Sequence, residues 1–311
     1  MAHVGRLLKG AKADDEYYTL YEDIEKEVVK YKDSIQGKTI YMPCDNPSTS
    51  NFWKYFTDHF EEYNLKAIIA TTYGSNQVIA TTKEQTRFYN IDDFEGDFRS
   101  EISKTIMKQV DLVITNPPFS LFNDFILQMH EAGCDYLVIG SLSAISMMNI
   151  FPLWKNNSLR AGYTKPKKFL QPSGEYRNFG NCCWYTTLPT ETSKEVLPEK
   201  EQDIGTYNRY WNCEAIDVPK LSEIPAGYEG LMGVPLTYIF HHNPDLYDVV
   251  GIDRFTDCVR PIGKEWCKLY RSQGGKAHLS DGMRVLVMID KEGKAKSVFK
   301  RIIIKKCSKH K

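Results

Sequence analysis

Apolar positions in the first 140 residues alternate between short runs and helical spacings. KTIYMP (38–43), LKAIIATTY (65–73), DLVIT (111–115) and DYLVIG (135–140) are brief apolar stretches bounded by polar or turn-forming residues. That is the pattern of strands covered on both faces. Between them the period changes. Ile24, Val28 and Tyr31 stand at i, i+4 and i+7 within 14–35, and FWKYFTDHFEEY (52–63) and ISKTIMKQV (102–110) predict helices. LFNDFILQMHEAG places Leu121, Phe122, Phe125, Ile126 and Met129 on one side, with Ser120 as a cap and Gly133 as a stop. QVIATT (77–82) predicts a further short strand or a hairpin partner. Alternating strands and helices predict a parallel α/β sheet. Such sheets bind ligands just beyond the carboxyl ends of their strands, and the loops CDNPSTSN (44–51) and NPPF (116–119) lie at that edge.

The second half has no such alternation. NCCWYTTL (181–188) predicts a late strand; beyond it Pro and Gly interrupt the chain, and RVLVMIDKEGKAKSVFKRIII (284–304) predicts a β-hairpin around Gly293. The natural division is 1–190 and 191–311.

Composition narrows the class. With 42% apolar and 26% charged residues the chain is an ordinary globular protein. No apolar run reaches the ~18 residues of a membrane span, and no signal-peptide pattern opens the chain. The eight cysteines form no CxxC pair and no Cys/His zinc spacing, which predicts reduced thiols in a cytoplasmic protein and no metal site. Net charge is zero, against a generic polyanion binder, but the charge is uneven. Residues 155–177 carry Lys155, Arg160, Lys165, Lys167, Lys168 and Arg177 against Glu175, and 300–311 is basic with no acid. Both are either solvated surface or phosphate contacts on nucleic acid.

The chemistry concentrates in Asn116-Pro117-Pro118-Phe119. A residue before proline is pushed out of the α region, and each proline fixes its own φ and lacks an N–H. The result is a stiff loop rich in acceptors and poor in donors. The Asn116 side-chain oxygen and the Pro117 carbonyl suit a substrate NH2 group. Phe119 offers a flat face, and base–aromatic stacking is worth about 1–3 kcal/mol. Together these read as a pocket for an exocyclic amine on a flat heterocycle, adenine N6 or cytosine N4. Such an amine is a poor nucleophile because its lone pair is delocalised. Acceptors on its hydrogens favour the nucleophilic form and the charge that develops. The matching reaction is direct methyl transfer from S-adenosylmethionine, with the base flipped out of any duplex.

Other features are weaker. Asp45 and Asn46 are placed to bind a cofactor, though an Asx-turn explains them equally well. Asp97 in GDFRS (96–100) is placed to accept from a cofactor adenine, though acidic loops are more often plain surface. His241-His242 lacks metal-ligand spacing, and no GxSxG supports hydrolase chemistry.

In order, the chain carries AKADDEYYT (11–19), CDNPSTSNFWKYF (44–56), GDFRS (96–100), DLVITNPPFSLF (111–122), FPLWKNN (151–157), NCCWYTTL (181–188), YEGLMGVPLTYI (228–239) and FKRIIIK (299–305). In this it resembles the EcoRI-type adenine-specific DNA methyltransferases over most of its length. The NPPF box alone is common to many amino-methyltransferases; the ordered set is much more specific. The resemblance implies a seven-stranded, mostly parallel sheet with one antiparallel edge strand, helices on both faces, and a C-terminal mixed α/β target-recognition region.

It also implies roles. Asn116, Pro117 and Pro118 would hold the target amine, with Asn116 also facing the cofactor, and Phe119 would stack on the flipped adenine. Tyr17, Tyr18 and Thr19 would wrap S-adenosylmethionine, with Cys44, Asp45, Asn46, Pro47 and Asn51 as its main loop and Asp97 and Phe98 near its adenine. Trp184 or Tyr185 would help hold the flipped base, and Lys167, Lys168 and Arg301 would meet DNA. The family commonly has two acids before the proline of the cofactor loop; Asn46 replaces the second. The implied partner is double-stranded DNA, met by a monomer, with a cognate restriction endonuclease as a partner in function only. An impaired scaffold that only binds DNA, and action on cytosine or RNA, are the competing readings.

Overall fold

The computed structural model describes residues 17–171, 173–191, 196–253 and 255–307. The chain divides into two compact units, 1–190 and 191–311. The first holds a mixed sheet of eight strands: β1 (Thr39–Met42), β2 (Ala67–Thr71), β3 (Gln77–Thr81), β4 (Thr86–Asn90), β5 (Leu112–Thr115), β6 (Asp135–Ser141), β7 (Arg160–Ala161) and β8 (Cys182–Thr186). Their order is β4-β3-β2-β1-β5-β6-β8-β7. The middle strands β2, β1, β5 and β6 are parallel.

The flanks correct the expected topology. There are eight strands where seven were expected, and antiparallel pairing occurs on both sides of the sheet rather than at one edge strand. On one side, residues 72–76 are too few for a crossover helix, which needs a dozen or more residues, so the chain returns at once as the hairpin β3–β4. On the other, β7 extends the sheet beyond β8.

The apolar runs are buried as their composition requires. Ile40, Met42, Ile68, Ala70, Leu112, Ile114, Leu137 and Ile139 share one core with Ile24, Val28, Phe52, Tyr55 and Phe56. Helices α1 (Tyr21–Val28), α2 (Lys32–Ile35) and α3 (Asn51–Asp58) thus cover one face. On the other face Tyr41 reaches Ser103 of α4 (Glu101–Met107), and Gly140 lies against the Phe122 ring of α5 (Phe122–Ala132). Gly133 ends α5 in the left-handed region, φ 71°. Ser120 is not its cap: a short 3-10 turn, Phe119–Leu121, comes first, and Leu121 holds the cap position without a side-chain bond. Residues 14–16, ahead of the expected helical stretch, and most of the AKADDEYYT motif fall outside the described residues.

A small antiparallel sheet of Tyr18–Thr19, Lys168–Leu170 and Tyr176–Asn178 belongs to the same unit. The second unit has β9 (Ala215–Asp217), β10 (Leu231–Pro235), β11 (Tyr247–Ile252) and β12 (Arg301–Lys306) in the order β9-β10-β12-β11. The hairpin around Gly293 pairs Val287–Ile289 with Ala295–Ser297. Residues 301–306 leave it to lie between β10 and β11, where Ile302, Ile303 and Ile304 are fully buried. No helix among the described residues is long and apolar enough to cross a membrane.

Candidate active site

Asn116 follows directly on β5. Its Nδ2 donates to the Tyr17 carbonyl at 2.7 Å, while its Oδ1 is buried and receives no hydrogen bond. The first contact fixes the amide, because turning it over would set Oδ1 against another acceptor. The second leaves a desolvated acceptor, a state that costs about 1–3 kcal/mol until a donor arrives. Pro117 is buried; Pro118 is half-buried and extended, φ −54° and ψ 126°. Phe119 is half-buried among aromatics: Tyr17, nearly parallel at 6.4 Å, and Phe169 and Phe179, edge-on at 6.4 and 6.0 Å.

The loop after β1 is internally satisfied. Asp45 is buried, and its two carboxylate oxygens accept from Ser50 Oγ and Thr115 Oγ1, each at 2.6 Å. Its backbone carbonyl accepts from Thr72. Burial raises the Asp45 carboxyl to about 6, against the lowering effect of the two hydroxyls. Asp45 therefore ties the cap of α3 to the strand that delivers Asn116. Ser50 also accepts from the Phe52 and Trp53 amides, capping α3, while Ser48 makes no such cap. Asn46 is exposed, and its Oδ1 accepts from the Ser48 amide and hydroxyl, the Asx-turn. Cys44 lies beside Asp45 with its thiol pushed well up by burial. Pro47 is half-buried, and Asn51 donates to the Thr19 carbonyl at 2.8 Å. Asn51 and Asn116 thus hold the strand Tyr18–Thr19 and its neighbour Tyr17 from two sides, and the buried Thr19 Oγ1 has no hydrogen-bond partner.

In the GDFRS loop, burial alone would raise Asp97, but Arg99 outweighs it with side-chain and backbone hydrogen bonds and holds the carboxyl below its usual range. Asp97 is thus engaged before any ligand arrives. Phe98 is buried edge-on to Phe125 at 5.0 Å. Gly96 is required: at φ 66°, an added Cβ would lie 1.8 Å from the Thr72 carbonyl oxygen. Ser103 Oγ donates to the Asp97 carbonyl and Tyr41 OH reaches Ser103, which joins this loop to the middle of the sheet.

Two expectations fail. Trp184 and Tyr185 are fully buried, Trp184 edge-on to Phe52 and Tyr185 beside Phe122, so they are core residues and present no face to a base. Arg301 is not a free phosphate contact: its Nε lies 3.1 Å from Asp217, which also accepts from Tyr210, and the pair is largely buried. The end of the basic tail, 308–311, lies outside the described residues. Lys167 and Lys168 are exposed, and Lys168 sits 3.8 Å over the Tyr176 ring.

Sequence reasoning overlooked Thr115, Phe169 and Phe179. For Thr115 the signal was a lone hydroxyl ending an apolar strand, one step before Asn116. For the two phenylalanines it was the aromatic–basic interleaving of KFL and YRNF. Glu27, also overlooked, is buried and accepts from the Tyr163 and Thr164 amides, securing the chain that leads into this hairpin.

Residues 7–307 match the family described as "Adenine-specific methyltransferase EcoRI". The type II methyltransferase M.EcoRI of Escherichia coli is 31% identical, over 81% of this chain and 90% of its own. M.MpnI of Mycoplasma pneumoniae is 32% identical over 80% and 85%, and M.MgeORF184P of Mycoplasma genitalium 30% over 80% and 86%. With a match over nearly its whole length, the chain belongs to the EcoRI family of adenine-specific methyltransferases.

Proposed function

We propose that this protein transfers a methyl group from S-adenosylmethionine to the N6 amine of an adenine in duplex DNA. The carrying observation is Asn116 Oδ1, a buried acceptor held in place by Tyr17 and lacking a donor. An adenine amine supplies that donor. With one amine hydrogen on Asn116 Oδ1 and the other on the Pro117 carbonyl, the nitrogen becomes more tetrahedral and its lone pair points away from the ring. The same acceptors stabilise the positive charge that grows on nitrogen, an electrostatic contribution largest where water is excluded. Phe119 supplies the stacking face, and Tyr17 the contact that holds the amide in its working orientation.

S-adenosylmethionine, when bound, provides a methyl group on a cationic sulfur. The edge fits such a ligand, which brings an ammonium, hydroxyls and an aminopurine. Thr19 Oγ1 is a second buried oxygen without a partner there, and Asp97, although held by Arg99, keeps acceptor capacity. Asp45, locked between Ser50 and Thr115, shapes the loop rather than reaching outward. Lys167 is a candidate phosphate contact, and unit 191–311 is the candidate region for reading the target. The impaired-scaffold reading rested on Asn46, but that side chain is exposed and turned into its own loop, so the substitution removes no buried acid.

The test is methylation of mixed-sequence duplex DNA by purified protein with methyl-labelled S-adenosylmethionine, followed by nucleoside analysis. N6-methyladenine from the wild type and none from Asn116→Ala is the expected result. Label on cytosine, or only on RNA offered in parallel, would replace adenine in DNA as the substrate.

A further inference from the structure

Most of the charged contacts of this protein pair a cation with a carboxylate; Lys32 with Glu62 and Lys306 with Glu199 are examples. Arg177 is different. It is exposed, and among the described residues no carboxylate lies within ion-pair distance of it. Its guanidinium instead donates to Tyr17 OH at 2.6 Å and lies over the rings of Tyr17 and Phe179 at 5.5 and 5.1 Å. Those are two of the rings around Phe119.

Strand register explains the placement. Arg177 pairs with Phe169, and side chains alternate between faces along a strand. Arg177, Phe169 and Phe179 therefore share the face turned toward Phe119, while Lys168, paired with Asn178, belongs with Tyr176 on the opposite face. The backbone bond from Phe179 N to the Lys167 carbonyl carries the ladder one step further and sets Lys167 on the Arg177 side. A planar guanidinium stacked on aromatic rings, without an acid partner, retains a fork of donors that matches a phosphate.

We infer that Arg177 grips a phosphodiester of the DNA strand whose base enters the Asn116 site, with Lys167 beside it. The inference rests on the methyltransferase reading above and adds to it a specific contact surface, the Phe119-facing side of the hairpin. Lys168, on the other side, does not take part.

The experiment measures affinity for a mixed-sequence duplex oligonucleotide across a salt series. The proteins are the wild type, Arg177→Gln, Arg177→Lys and Lys168→Gln; S-adenosylmethionine binding and the thermal midpoint are followed in parallel. Gln keeps a donor for Tyr17 OH but removes the charge. Each phosphate contact contributes about 0.7–0.9 to the slope of log affinity against log salt. The expected result is a slope lower by about that amount in Arg177→Gln, restored in Arg177→Lys and unchanged in Lys168→Gln, with cofactor binding constant throughout. A wild-type slope in Arg177→Gln, or an equal fall in Lys168→Gln, overturns the inference while leaving the methyltransferase reading intact. A wild type with no salt-dependent affinity for DNA overturns both. If Arg177→Gln loses its thermal transition, Lys167→Gln against Lys168→Gln decides: a lower slope in Lys167→Gln alone supports the assignment, and a wild-type slope in Lys167→Gln or an equal fall in both overturns it.

Discussion

The loop after β1 and the loop after β5 leave the same edge of the sheet, yet their polar groups are finished differently. In the first, the side-chain acceptors described are occupied from within: Asp45 by Ser50 and Thr115, Asn46 by Ser48. In the second, Asn116 donates internally to the Tyr17 carbonyl and leaves its buried oxygen open. Closed groups hold shape, whereas open ones wait for a partner. The closed loop supports the open one, since Thr115 lies on Asp45 and immediately precedes Asn116. The position richest in acids or amides is thus not the one that keeps an open buried acceptor.

The largest effect should come from the open group. Asn116→Ala should lower turnover at least about 100-fold, the scale of losing one preorganised hydrogen-bonding group. Its thermal midpoint should change little, because removal of a desolvated acceptor offsets the lost bond to the Tyr17 carbonyl. Single-turnover methylation and calorimetry on the same samples test both halves; equal losses of activity and stability would erase the contrast.

Next is the pH response of the closed loop. Burial raises the Asp45 carboxyl from 3.8 to about 6, so between those values the folded protein holds a proton that the unfolded chain has released. Its stabilising effect is full below about 4 and lost as the pH rises through 6. Relative to Asp45→Asn, the wild type should gain up to about 3 kcal/mol between pH 7 and pH 4, at roughly 1.4 kcal/mol per pKa unit. Denaturant titrations at both pH values measure it. A difference that is flat with pH would mean that Asp45 is more hydrated than its surroundings indicate.

A smaller effect is the coupling between the loops. Asp45→Ala and Thr115→Val remove the two ends of one hydrogen bond, so their combined cost should fall short of the sum by about 1 kcal/mol, in stability and in turnover alike. Strict additivity would separate the loops. The smallest is Asn46→Asp, which keeps the Asx-turn acceptor on an exposed residue. S-adenosylmethionine affinity and stability should move by less than about 0.5 kcal/mol. A large gain in cofactor binding would show that the first loop is open after all.

What could be read from the sequence follows the same division between local and distant causes. The central strands were legible because strands covered on both faces must be apolar throughout, and TIYM, LVIT and YLVIG are. Gly133 was legible because stopping a helix is a local backbone matter. The strands Lys168–Leu170 and Tyr176–Asn178 were not: three residues each carry too little periodicity, and the first of them is held by Tyr18–Thr19, far away in the chain, with the second paired onto it. The role of Arg301 was misread because Asp217 is 84 residues distant. Trp184 was misread because an aromatic in a late strand looks the same in sequence whether it faces a base or Phe52. At Asn116 the stiff loop was legible, but the backbone carbonyl of Tyr17 that orients its amide was not.

That carbonyl makes the working site a splice between distant parts of the chain. The amide of Asn116 is oriented by the backbone of Tyr17, 99 residues earlier, and by no side chain that a point substitution could delete. A protease cut between Thr19 and Leu20 would release this contact while sparing every strand of the eight-stranded sheet. The amide would then be free to turn, and in half of its orientations it would offer an N–H to a substrate that also offers one. Controlled clipping at that bond should give a folded but silent protein. Activity should return when a peptide bearing the severed segment is added in excess.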